Sequence, residues 1–257
     1  MSDDKAFITR LQDDIYFKFR KAQVIGNQTE RAGTLHVSDV KSECMRNVYY
    51  SKKDPNPSMT TEQFRPLWLG QAIHGFSQIA EKDLHEVTLA WNYVTDEAVD
   101  LEKWKKDVPL DDPRWYDVLI GSIDDIIEYD GQYVIVDKKT TGSIDYFKRS
   151  SSPSETHTIQ LNHYRVLLEK CRGIDVAWGA IVYIGTKQTA GKMDAPAIIA
   201  TPLDAIENTI KKIKANGKTI KDAMVDGVIP PKVKNFLCDG YCPYATFCFT
   251  DERTQEK

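Results

Sequence analysis

At 257 residues the chain is long enough to bury a full core, as one large α/β domain or two small ones. Its 41% hydrophobic and 28% charged residues suit an ordinary globular protein, and no apolar run approaches the roughly 18 residues that a membrane span requires. The net charge of −4 argues against a wide non-specific nucleic-acid surface, so contact with nucleic acid is expected only along a local basic channel.

The opening Met-Ser-Asp-Asp-Lys has no secretory pattern, which makes an intracellular (cytoplasmic) address the default expectation. Five cysteines in such a reducing compartment favour metal ligation or burial over disulfides.

In chain order, residues 6–22 read as an amphipathic helix, with Phe7, Leu11, Ile15 and Phe19 at helical spacing. A polar, Gly-containing link over 23–35 follows. Ser38 or Asp39 then caps a helix that carries Cys44 and runs to about Tyr50. After a loop over 51–60, a longer helix is expected over 61–83, with Trp68, Leu69, Ala72, Ile73, Phe76 and Ile79 on it and His74 among them. Gly70 and Gly75 weaken that helix by about 1 kcal/mol each against Ala and leave room for a close approach.

Glu86–Val94 alternates like a strand, and 97–106 reads as a charged helix or loop. A hairpin is expected over 116–139. Ser150-Ser-Ser-Pro-Ser154 is a surface loop, a candidate flap. A helix over Thr158–Lys170, strands over Val176–Ile184 and 196–202, and a Lys-rich helix over 204–225 complete the core. On that last helix Lys211, Lys212, Lys214, Lys218 and Lys221 are a candidate basic channel, set against a merely solvated face. Lys218-Thr219 after Gly217 imitates a phosphate loop, but position 212 is Lys where the motif needs Gly. The layout is a mixed α/β fold with its acidic residues at mid-sheet. No repeat or clear linker appears, so a single domain is expected.

The hairpin is the most informative stretch. Two β-branched runs flank Asp130-Gly131, a strong signal for a two-residue turn. With that turn, opposed residue numbers sum to 261, so Asp124 faces Asp137 and Ser122 faces Lys139. Alternation puts Asp124, Asp137 and Lys139 on one face and Asp125 and Lys138 on the other. Opposed carboxylates lie roughly 5 Å apart at Cβ and repel. A divalent cation offsets that repulsion and suits phosphoryl chemistry, with Lys139 beside it. The competing interpretation is a solvated face with charges placed by chance.

Cys238, Cys242 and Cys248 fall within eleven residues as C-x3-C-x5-C. Cys44 or Cys171 completes a four-cysteine set. Cys171 ends an apolar helix, where cysteine commonly acts as a small buried hydrophobe, so Cys44 is preferred. Zinc and iron–sulfur clusters both accept four cysteines, and spacing alone does not separate them.

Together these residues resemble the RecB-like branch of the PD-(D/E)XK nucleases, the iron–sulfur nucleases related to the CRISPR-associated RecB-like exonucleases and the AddB nuclease domain. The likeness runs from Cys44 to Cys248. It rests on Val37-Ser-Asp-Val-Lys-Ser-Glu-Cys44 with its following Tyr49-Tyr50, Gly70-Gln-Ala-Ile-His74, Gly121-Ser-Ile-Asp124, Asp137-Lys138-Lys139-Thr140, and Gln160-Leu-Asn-His-Tyr164, closed by the cysteine tail. Singly these motifs are weak; in this order they are specific. The tail departs from the family in having C-x3-C where C-x2-C is common.

The resemblance implies a restriction-endonuclease-like core over 61–202 with cluster-binding segments over 36–50 and 230–250. It implies Mg2+ or Mn2+ held by His74, Asp124, Asp137 and the Lys138 carbonyl, with Lys139 activating water and Gln160 and Tyr164 positioning a DNA strand. Cys44, Cys238, Cys242 and Cys248 would hold a [4Fe–4S] cluster joining the two ends of the chain. The implied activity is exonucleolytic hydrolysis of single-stranded DNA, in repair, replication or CRISPR spacer acquisition, with an integrase or a helicase as partner. The alternative is a cluster-bearing DNA-binding protein without catalysis. Taken alone, His74 reads as a core histidine and Gln160/Tyr164 as half-buried helix surface; His36, His85, His157 and His163 belong to no motif.

Overall fold

Asp130 and Gly131 both have positive φ, 52° and 72°, the backbone that a type I′ turn demands. They join β4 (Val118–Tyr129) to β5 (Gln132–Thr141), as seen in a computed structural model describing residues 31–54, 70, 79–81, 84–186, 188–189, 192–193, 195–234, 238 and 242–248. The helix expected over 6–22, most of that expected over 61–83, and His74 lie outside the described residues.

The hairpin ladder has the expected register: Tyr129 pairs with Gln132 and Asp125 with Val136. There the two strands part. Beyond Asp125, β4 pairs with β2 (His85–Asn92), so that Ser122 faces Thr88. β5 continues in parallel with β6 (Trp178–Gly185), where Lys139 faces Tyr183. The hairpin ladder itself stops at Asp125 and Val136, one residue short of Asp124 and Asp137, so the expected pairing of Ser122 with Lys139 is corrected. The Lys138 N–H donates to the Asp124 carboxylate at 2.7 Å, so a side chain takes a strand N–H.

Among the described residues the main sheet has seven strands. Its order runs from β3 (Glu97–Ala98) through β2, β4, β5 and β6 to β7 (Ala197–Pro202). β1 (Leu35–His36) adds to β4 in parallel. Parallel pairing of β5 with β6 needs a crossover, supplied by α4 (Ile144–Arg149) and α5 (Glu155–Arg172). Gly173, with φ 67°, ends α5 in the left-handed conformation, its N–H on the Glu169 carbonyl. α6 (Ile206–Val225) packs against α5. This is the α/β fold with a mixed, helix-flanked sheet that the sequence suggests.

Gly121 shows why these layers need a glycine. A Cβ there would stand 2.5 Å from Leu167 and 2.9 Å from Val37. Leu161, Leu167 and Leu168 of α5 and Ile123, Ile126 and Ile135 of the hairpin are fully buried in one cluster. That cluster fixes α5, and thus Gln160 and Tyr164, over the end of the hairpin.

Other expectations are corrected near the N-terminus. The stretch expected as a link to residue 35 ends in β1, and the single helix expected from Ser38 to Tyr50 is two. α1 (Val37–Val40) is entered from His36, whose N–H donates to Asp39 Oδ2 at 2.8 Å. α2 (Met45–Lys53) begins after Cys44. Residues 79–81 are not helical, so the helix expected over 61–83 does not run through them. The N–H groups of Ile79 and Ala80 donate instead to Asp125. The charged stretch near 100 is α3 (Leu101–Asp107), capped by Asp100, whose carboxylate accepts from Glu102 and Lys103.

Candidate active site

Asp137 is 1% exposed, and both its oxygens are engaged. Gln160 Nε2 donates to Oδ1 at 3.1 Å, and Lys139 Nζ stands 2.5 Å from Oδ2. Burial, and then the charge of Asp124, push its pKa above the usual carboxylate range, against the pull of Lys139 and Lys41. Two carboxylates are thus forced into one site, as the register implies.

Gln160 and Tyr164 lie one turn apart on α5. Gln160 Nε2 also donates to Tyr164 Oη at 2.7 Å, and Lys41 Nζ donates to Gln160 Oε1 at 2.5 Å. Burial and the charge of Lys139 lower the Lys41 ammonium to about 8. Burial and Asp137 push the Tyr164 phenol far up, so it stays a neutral hydroxyl.

A cleft of about 470 Å3 opens over these groups, with Asp124, Asp137, Lys139, Gln160 and Tyr164 on its wall. Arg31, His36 and Lys105 line it as well. A chain of net charge −4 therefore has a cleft in which arginine and lysine side chains surround two carboxylates, a setting for a phosphate-bearing ligand. The Lys-rich face of α6 is not this channel. Lys218 pairs with Asp222 at 2.6 Å and Lys221 with Asp117 at 2.7 Å, beside a separate groove.

On the other hairpin face, Asp125 is completely buried and pairs with Lys138 at 2.8 Å, itself 1% exposed. Asp125 Oδ1 also meets His85 Nδ1 at 2.8 Å. Burial raises its pKa, but the bonds from Lys138, Ala80, His85 and Ile79 outweigh that and leave it lowered. The alternation that separates Asp125 and Lys138 from Asp137 and Lys139 is observed.

Sequence reasoning missed several of these roles. Lys138 lies two residues along from Val136, which faces Asp125, and is thus the diagonal neighbour of Asp125, so the hairpin register carried a signal for that ion pair. Lys41 carried none, since 119 residues separate it from Gln160. His36 and Arg31 line the cleft without a motif, and His85 belongs to the ion-pair cluster. His157 donates to or accepts from the Tyr183 hydroxyl at 2.8 Å. His163 is 1% exposed and has no hydrogen-bond partner at either ring nitrogen.

Cys44, Cys238, Cys242 and Cys248 line one small cavity, which Asn47 and Tyr244 share. Asn47 Nδ2 reaches Cys242 Sγ at 3.1 Å. Burial raises the Cys248 thiol against the pull of Arg46 and Lys232, with a smaller push from Cys44 and Cys238. Cys171 is elsewhere: its thiol donates to the Ala90 carbonyl at 3.1 Å, and burial pushes it up to about 11. Among the described residues, no group of three or more His, Cys, Asp or Glu is placed so as to hold a metal ion.

Comparison with known proteins fits this geometry. Residues 28–249 match the family model of the PD-(D/E)XK nuclease superfamily. No curated protein matches the chain. Among solved structures, SSO0001 is similar at 18% identity over 84% of this chain and 86% of that one, with a TM-score of 0.48. An exonuclease, LHK-Exo in complex with dAMP, is similar at 12% identity over 78% and 92%, with a TM-score of 0.43. The alkaline exonuclease LHK-Exo from Laribacter hongkongensis gives 12% identity over 77% and 90%, with a TM-score of 0.38. At these scores the solved structures carry no argument about the site. The family match covers most of the sequence, including Asp124, Asp137, Lys139 and Gln160, and the chain belongs to the PD-(D/E)XK nuclease superfamily.

Proposed function

We propose that the chain is a Mg2+- or Mn2+-dependent deoxyribonuclease of the RecB-like iron–sulfur branch, acting as an exonuclease on single-stranded DNA. The observation that supports it best is the pair Asp124 and Asp137, with Lys139 against the latter, on the wall of a cleft that Arg31 and Lys105 also line.

The residues fit a dication. Asp137 is a buried carboxylate whose ionisation burial and Asp124 oppose, and a bound cation removes that opposition. Asp124, Asp137, the Lys138 carbonyl and His74 are the proposed ligands. When bound, the metal supplies polarisation of a phosphoryl oxygen and a water of lowered pKa. The protein's own groups do the rest. Lys139 keeps a positive charge beside Asp137, where negative charge builds on the phosphate. Gln160 holds the Asp137 carboxylate in one orientation, and the neutral Tyr164 hydroxyl faces the same space. A net charge of −4 leaves contact with nucleic acid to this local cleft rather than to a broad duplex-binding face, which favours a single strand.

Cys44, Cys238, Cys242 and Cys248, which line one cavity, are the proposed ligands of a structural [4Fe–4S] cluster tying α2 to the C-terminal segment, although they are not placed to hold a metal in this arrangement. An integrase or a helicase is the proposed partner, in spacer acquisition or in repair and replication.

Two measurements test this. End-labelled single-stranded DNA is incubated with the protein in Mg2+, in Mn2+ and in EDTA; shortening with metal and none in EDTA is expected. Equal shortening in EDTA, or no cleavage in either metal, sinks the nuclease assignment. Anaerobically purified protein is expected to be brown with broad visible absorption, whereas colourless zinc-containing protein overturns the cluster.

A further inference from the structure

Gln160 sits between three groups, and only one arrangement of its amide satisfies all of them. The Lys41 ammonium donates and cannot accept, so it must face Oε1. That leaves the two N–H bonds of Nε2 for Asp137 Oδ1 and Tyr164 Oη. Reversed, the amide would press Nε2 against an ammonium and Oε1 against a carboxylate oxygen. Without Lys41 that penalty is halved, because the Tyr164 hydroxyl can donate to an oxygen as readily as accept from a nitrogen.

We propose that Lys41 is a positioning residue for the hydrolytic site, acting through Gln160 to hold the Asp137 carboxylate. Lys41 comes from the C-terminal end of α1, and α1 is set against the hairpin by β1 pairing with β4. Among the described residues Gln160 lines the cleft and Lys41 does not, and the Lys41 ammonium meets the site at Gln160 Oε1. Lys41 is therefore expected to act on the orientation of Asp137 more than on substrate affinity. The chain thus surrounds one carboxylate with two lysines of different duty: Lys139 touches Oδ2 directly, and Lys41 fixes the amide that holds Oδ1.

This inference rests on the nuclease reading for its kinetic consequence and not for its structural one. Kinetics on single-stranded DNA in Mn2+ are compared for the wild type and for Lys41→Met, Lys41→Arg, Gln160→Met and the double Lys41→Met/Gln160→Met. Lys41→Met is expected to lose about tenfold in kcat, equivalent to about 1.4 kcal/mol, with KM little changed. Lys41→Arg, still a donor-only cation, is expected to restore kcat to within about threefold of the wild type. The double variant is expected to lose far less than a further tenfold against Gln160→Met alone, since only the direct pull of the Lys41 charge on Asp137 is then left to remove.

Wild-type kcat in Lys41→Met, a change confined to KM, or multiplying losses in the double variant would each overturn the proposal. The Gln160 side-chain NH2 resonances of 15N-labelled protein give a readout that needs no activity. They are expected to move in Lys41→Met and to hold in Lys41→Arg; no movement in Lys41→Met also overturns it. An inactive wild type with the expected resonance shifts would refute the nuclease assignment and leave the role of Lys41 standing.

Discussion

The two faces of one hairpin carry the same residue types and treat them in opposite ways. On one face Asp125 and Lys138 are both buried and paired, and main-chain N–H groups and His85 complete the carboxylate's shell. Its pKa is lowered. On the other face Asp137 also meets a lysine, but Asp124 shares its site, and its pKa is raised. The difference lies in the balance of donors and charges around the carboxylate. A carboxylate surrounded by donors is framework; one held beside a second anion keeps a demand for positive charge, and that demand is what a hydrolytic site can use.

The largest expected effect breaks the second face. Asp124→Ala or Asp137→Ala should reduce DNA cleavage to background, a loss on the order of a thousandfold or more, or at least about 4 kcal/mol in the barrier. Circular dichroism and the visible spectrum should stay those of the wild type. Retained cleavage in either variant would remove that carboxylate from the mechanism.

Breaking the first face should cost stability instead. Asp125→Ala strands the Lys138 ammonium in a site 1% exposed to solvent and frees two main-chain donors. Removing one partner of a buried pair costs about 3–5 kcal/mol. Urea unfolding measures it, and the apolar double replacement Asp125→Leu/Lys138→Met should recover much of the loss, since buried pairs replaced together are often near neutral. A loss under about 1 kcal/mol in Asp125→Ala would mean the two faces are not as different as they look.

How much of this was legible follows from what sets each feature. Parity along a strand is fixed by the turn, so Asp130-Gly131 alone gave the 261 register and sorted Asp125 and Lys138 from Asp137 and Lys139. The end of the ladder was not legible: beyond Asp125 it is β1, from far earlier in the chain, that joins β4 off the main strand order, and the turn says nothing of that partner. Lys41 reaches Gln160 through a four-residue helix placed by β1, a two-residue strand with no pattern of its own. The non-helical backbone at 79–81 was hidden for a related reason: the carboxylate that takes the Ile79 and Ala80 N–H groups comes from about 45 residues further on. Motifs report local spacing, and these features are tertiary.

His163, on the same helix as Gln160, gives a smaller and pH-dependent effect. Burial first, and then Lys41 and Lys212, lower its pKa from 6.5 to about 4 in the folded chain. Between those values the unfolded chain binds more protons than the folded one, so stability is complete above about pH 6.5 and falls as pH drops toward 4. The gap corresponds to roughly 3 kcal/mol across the window. Urea midpoints from about pH 7 to about pH 4 should show that decline, and His163→Leu should flatten it. An unchanged slope in His163→Leu would assign the acid sensitivity elsewhere.

The smallest effect distinguishes framework from site most sharply. Asp137→Asn keeps the shape of the side chain and its bond from Gln160 while deleting the charge that Asp124 and burial oppose. Because the folded pKa of Asp137 lies above its unfolded value, the wild type loses stability as pH rises through that interval, and the variant has no such loss. Asp137→Asn is therefore expected to be more stable than the wild type at about pH 7, by up to about 1 kcal/mol, the scale of a like-charge pair on opposed strands. Lys139, at 21% side-chain exposure, can turn to water when its partner is lost, which Lys138 cannot. Adding Mn2+ should raise the melting temperature of the wild type and leave that of Asp137→Asn nearly unmoved. Equal stabilisation of both by Mn2+, or a destabilised variant at neutral pH, would show that Asp137 is held as Asp125 is, by donors enough to satisfy it.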